Sequence, residues 1–120
     1  MSDKPATILH LPPPPSVNET RRDHAAGNAR LHRWHKLADA EVLAAGGMRK
    51  LAKIAGPFAA TITLDESLRL DLDNGIKALI DYARRVELVR DDSPKYLRRL
   101  TVEWGSAPHG CRLTLTPVSS

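Results

Sequence analysis

The sequence predicts a single-domain α/β (α+β) fold, a small mixed β-sheet packed with helices. Three observations carry that prediction. Apolar residues recur at intervals of three and four over residues 29–45 and again over residues 76–86, which is one face of a helix in each case. Four shorter runs, residues 6–11, 58–64, 96–104 and 111–118, are rich in β-prone side chains. The chain has 120 residues and no internal repeat, which suits one domain with a modest core. The order β, α, β, α, β, β then gives a sheet covered by helices on at least one side.

Each element has a local reason. Residues 1–5 are expected to fray, and residues 6–11 to form a first strand. Pro12 to Pro15 donate no backbone hydrogen bond, so the strand ends there and the chain leaves it stiff and extended. Residues 16–28 are polar and carry Arg21, Arg22 and His24, which predicts a loop able to lie on a polyanion. In the first helix Leu31, Trp34, Leu37, Ala38, Val42 and Ala45 are expected to face inward and Arg30, Arg33 and Lys36 outward, with Gly46-Gly47 as its stop. His32 and His35 stand three apart without a further nearby ligand, so they read as part of a solvated face. Residues 48–54 form either another helical turn or a basic link. Gly56-Pro57 breaks the pattern before the strand FAATITL. Residues 96–104 and 111–118 are expected to pair as a hairpin through a turn at 105–110.

Between the second and third strands lies the stretch RLDLDNGIKALIDYARRVELVRDDSPK, residues 69–95. Leu68, Leu70 and Leu72 alternate with Arg69, Asp71 and Asp73, so the two acids leave an extended segment on the same side. Ile76, Leu79, Ile80, Ala83 and Val86 form the buried face of the helix that follows, with Lys77 one turn beyond Asp73. Asp91-Asp92-Ser93-Pro94 reads as a turn that returns a second acidic pair toward the start of that helix. Crowded carboxylates repel unless a cation sits among them, which points to a hard ion with oxygen ligands, Mg²⁺ or Mn²⁺. A calcium loop of the EF-hand kind fails, because the fifth and sixth positions from Asp71 are Gly75 and Ile76. The same acids suit a plainer structural use, with Asp73 or Asn74 capping the helix and Asp91-Asp92 serving the turn.

Composition narrows the function classes. Only five residues are aromatic, so the core must come from Leu, Ile, Val and Ala. The net charge of +4 is concentrated in the first half, where Arg21, Arg22, Arg30, Arg33, Lys36, Arg49, Lys50 and Lys53 outnumber the acids, as suits a nucleic-acid partner. Cys111 is the sole cysteine, so no internal disulfide forms and a reducing cytoplasm is expected. No stretch has the length and apolarity of a membrane span or a signal peptide.

The segment Asp71-Leu72-Asp73-Asn74, then Lys77-Ala78-Leu79 with Asp81, then Val89-Arg90-Asp91-Asp92 resembles the D-L-D-N-x-x-K-A-x-x-D…D-D signature of the RusA family of Holliday-junction resolvases. Leu11-Pro12-Pro13-Pro14-Pro15-Ser16-Val17-Asn18 resembles that family's first strand and P-P-S-x-N turn, and the last strand ends similarly at Thr116-Pro117. One departure is that Leu70 directly precedes Asp71 where the family often has a basic residue, with Arg69 one place earlier. The resemblance implies a RusA-like endonuclease domain over residues 1–120. It makes Asp71, Asp73 and Asp92 metal ligands, Lys77 the essential lysine and Asp91 a supporting acid, in a homodimer that nicks branched DNA in recombination and repair. Arg21, Arg22, Arg30, Arg33, Arg69 and Lys95 are the expected DNA contacts. A bacterial or phage-infected host cytoplasm is the implied setting. Two other functions fit the residues: a basic nucleic-acid-binding module without catalysis, and the same nuclease chemistry on flaps or forks.

Overall fold

The computed structural model describes residues 6–15, 24–73 and 75–118, the first five residues of the long helix by their backbone alone. In chain order the elements are β1 (Thr7–Leu11), α1 (His24–Ala44), a single 3-10 turn (Met48–Lys50), β2 (Phe58–Asp65), α2 (Ile76–Arg85), β3 (Leu97–Gly105) and β4 (Cys111–Pro117). The single-domain mixed α+β architecture is the one the sequence predicts.

The four strands form one sheet in the order β1-β4-β2-β3, antiparallel except between β2 and β3. The parallel pair follows from α2, which carries the chain back to the starting end of the sheet. The expected hairpin between β3 and β4 does not form. β4 is inserted between β1 and β2 instead, and β3 takes the edge. Burial explains the choice: Cys111, Leu113 and Leu115 are completely buried, whereas β3 is exposed at Arg98, Arg99 and Glu103 and suits an edge. Residues 105–110 cross the end of β2, where Asp65 N–H donates to Gly110 O at 3.0 Å and Glu66 N–H to Gly105 O at 3.0 Å.

Strand register sorts the side chains onto two faces. Thr7, Leu9 and Leu11 lie beside Leu115, Leu113 and Cys111, which lie beside Ala60, Ile62 and Leu64. This face is buried and packs with Trp34, Ala38, Val42, Leu79, Ile80, Tyr82 and Ala83 of the helices. The opposite face carries Ile8, His10, Arg112, Thr114, Thr61 and Thr101. Trp34 and Tyr82 join the two helices edge to face with ring centroids 5.5 Å apart. Trp34 Nε1 donates to Pro12 O at 3.1 Å, and Tyr82 hydroxyl donates to Asp39 Oδ1 at 2.6 Å.

α1 differs from expectation in extent and in face. It begins at His24, so the last five residues of the predicted 16–28 loop are helical; residues 16–23 lie outside the described residues. Its inward stripe is narrow, Trp34, Ala38 and Val42 with Leu31 half-buried, while Leu37 is 58% exposed and Ala45 lies outside the core. The helix ends as Gly46-Gly47 predicts. Gly47 N–H donates to Val42 O and Gly46 N–H to Leu43 O, with Gly46 at φ 122°, a Schellman motif. No helix among the described residues is long and apolar enough to cross a membrane.

Candidate functional site

The acidic loop starts from Asp65 at the end of β2. Asp65 Oδ1 accepts the Ala107 N–H at 2.9 Å, and Oδ2 accepts the Ser67 N–H at 3.1 Å together with the Ser67 hydroxyl. The Ser67 hydroxyl first, then the two backbone N–H groups, hold the Asp65 carboxyl below its ordinary range. Beyond this turn Leu68, Leu70 and Leu72 are half-buried against the core, and Arg69, Asp71 and Asp73 are exposed. The alternation read from the sequence is present, although the segment is irregular and joins no strand. Three leucines thus anchor the loop and turn both carboxylates to solvent. Among the described residues, Asp71 and Asp73 make no side-chain hydrogen bond or ion pair.

The helix start corrects one expectation. Its N-cap is Gly75, left-handed at φ 93°, with no side-chain cap, so Asp73 does not cap α2; Asn74 lies outside the described residues. A Cβ on Gly75 would meet Pro14 Cγ at 2.5 Å, and one on Gly110 would meet Pro13 Cδ at 2.5 Å. The proline run is therefore seated between two glycines, one at the start of α2 and one before β4. A proline run and two distant glycines were visible in the sequence, but nothing local says that they meet.

Lys77 is exposed and its Nζ lies 3.4 Å from Asp81 Oδ1. Arg84 continues the line: its guanidinium lies 3.7 Å from Asp81, 3.4 Å from Asp91 and 3.6 Å from Asp92. The Asp92 backbone N–H, and further Ser93 and Arg84, hold the Asp91 carboxyl below its ordinary range. These pairs are solvent-exposed and hence screened. Asp71 and Asp73 precede the first turn of α2, whereas Asp91 and Asp92 meet a residue of its last turn. The expected gathering of both acidic pairs at the helix start is not what the structure has. Leu88 and Val89 are buried, and Ile54 N–H donates to Leu88 O at 2.7 Å, which ties down the chain just before the second pair. Among the described residues no group of three or more His, Cys, Asp or Glu side chains is arranged to hold a metal ion. By donor chemistry Asp71 and Asp73 suit a hard divalent ion, while Asp92 would first have to leave Arg84.

The expected nucleic-acid contacts are spread over several elements. Arg33 is exposed and Arg30 half-buried on α1, Arg69 is exposed on the acidic loop, and Lys95 is exposed with its Nζ 5.4 Å from the Tyr96 ring centroid. Arg21 and Arg22 lie outside the described residues. His35 is half-buried beside Trp34 and Tyr82, and burial first, then Arg85, lowers its pKa. Cys111 is buried, its thiol pushed up to about 12 by desolvation and donating to Pro12 O, which leaves it a poor nucleophile. Arg84 is the partner of these acids that sequence reasoning missed; its signal was the i,i+3 spacing from Asp81. Scanned against protein-family models the chain matches none, and a search of curated proteins gives no match either.

Proposed function

We propose that this protein is a divalent-metal-dependent, structure-selective endodeoxyribonuclease that resolves four-way DNA junctions by paired symmetric nicks as a homodimer. The observation that carries the proposal is the pair Asp71 and Asp73: two exposed carboxylates without a structural partner among the described residues, on a loop anchored by three leucines. Their spacing with Lys77 and Asp92 supports the RusA-like signature in the sequence. Asp71 and Asp73 would hold Mg²⁺ or Mn²⁺, with Asp92 as a third ligand on release from Arg84 and Asp91 beside it. The ion, when bound, supplies Lewis-acid stabilisation of the phosphate and lowers the pKa of a bound water. Lys77, exposed and paired among the described residues with half-buried Asp81, supplies positive charge to the scissile phosphate. Arg33, Arg69 and Lys95 would contact backbone phosphates, which fixes register on the DNA without reading its sequence.

The test is incubation with a labelled four-way junction, a matched duplex and a flap, each with Mg²⁺ and with EDTA. Paired nicks in the junction that vanish with EDTA, and in Asp71→Asn and Asp73→Asn with junction binding intact, are expected. Normal cutting by both variants would show that the assigned carboxylates are not the ligands. One observation favours a second function: Arg84 already neutralises Asp91 and Asp92, as in a protein whose acids are structural. A non-catalytic DNA-binding module would bind the junction with steep salt dependence and leave it uncut in either metal.

A further inference from the structure

β3 is an edge strand whose outer side meets no other strand among the described residues, and it runs nine residues, Leu97–Gly105. Long edges are normally blunted by proline, by lysine or by a covering element, because their free N–H and C=O groups template further pairing. The sequence LRRLTVEWG has neither proline nor lysine, and its exposed charges, Arg98, Arg99 and Glu103, are of both signs. Instead β3 exposes two large apolar side chains, Leu100 at 41% and Trp104 at 40%, on the helix side of the sheet, Trp104 beside Leu68 and Leu70 of the acidic loop. On the other face Arg99 and Glu103 flank Thr101 symmetrically, and neither has an ion-pair partner among the described residues.

We propose that β3 is a self-pairing edge: two copies of this chain join antiparallel along it, centred on Thr101, into one eight-stranded sheet. In that register each residue faces the one whose number sums with it to twice that of Thr101. Arg99 then meets Glu103 of the second copy, and Glu103 meets its Arg99. Leu100 faces Val102 across the axis, an apolar pair. Shifting the centre by one residue in either direction removes both ion pairs. The self-complementarity about one residue is what a two-fold interface requires, since the same patch serves both partners. The occupant is therefore a second copy, selected by charge.

This inference deepens the homodimer named above, and sedimentation tests it without DNA or metal, so loss of the nuclease proposal would leave it standing. Sedimentation equilibrium on the full chain is expected to show a dimer for the wild type. Arg99→Glu and Glu103→Arg each place like charges opposite one another twice, and each alone is expected to weaken dimerisation by about tenfold or more. Mixing the two single variants restores both ion pairs, so a heterodimer is expected on mixing. The double variant R99E/E103R reverses both pairs and is expected to dimerise again. A monomeric wild type, single variants that dimerise as the wild type does, or a failure of both rescues would overturn the proposal.

Discussion

Glu87 ends α2 at φ 64°, in the left-handed region where every other described residue is glycine. Leu88 N–H donates to Ala83 O and Glu87 N–H to Arg84 O, so Glu87 occupies the place glycine usually takes in a Schellman motif. A side chain there costs about 1 to 2 kcal/mol. Its only ion pair among the described residues, to Lys53 at 3.9 Å, joins two side chains 82% and 68% exposed and contributes little. Glu87→Gly is therefore expected to stabilise the protein by about 0.5 to 1 kcal/mol after the added chain entropy of glycine, read as a higher urea midpoint. Asp65 makes an opposite kind of contribution. Its folded pKa lies below the ordinary 3.8, so the carboxyl is protonated more readily in the unfolded chain. The stabilisation is present above 3.8 and is lost as pH falls through the lower folded value. Asp65→Asn should flatten part of the acid limb of stability, measured as urea midpoints between about pH 5 and about pH 2.

At the scale of elements, the position of α2 depends on a contact far away in sequence. Gly75 admits Pro14 where a side chain would stand, and its left-handed φ disfavours any L-residue. Gly75→Ala combines backbone strain with overpacking, and an expected destabilisation of about 2 to 4 kcal/mol should appear in equilibrium unfolding. Junction cutting should fall with it, because Lys77 and the acidic loop move with the helix start. Leu79 is completely buried beneath the same helix. Leu79→Ala should cost about 2 to 5 kcal/mol in the same assay.

For the whole molecule, the arrangement among the described residues is two-layered: the helices cover one face of the sheet, and the outer side of β3 pairs with no further strand. Ions that bind the folded chain alone raise its stability by about 2.7 kcal/mol at about a hundredfold excess over Kd. Thermal midpoints should rise with Mg²⁺ in the wild type and stay flat in the double variant Asp71→Asn, Asp73→Asn. Junction affinity should also drop steeply with salt, as counterion release from phosphates requires.

Much of the fold was legible in local pattern. Alternating leucines at 68, 70 and 72, the three-four spacing after Ile76 and the Gly46-Gly47 stop all depend on neighbours a few residues apart, which sequence displays directly. The outward carboxylates Asp71 and Asp73 follow from the same alternation. What tertiary structure alone decided is which distant elements meet. β4 entered the centre of the sheet because its leucines needed burial on a strand paired at both sides, which a hairpin at the edge would not supply. Pro14 meets Gly75 across a long stretch of sequence, and burial of Leu88 and Val89 fixes where the chain returns, so that Arg84 takes up Asp91 and Asp92. Periodicity records which face of an element is apolar; the partner of that face is set by packing across the whole chain.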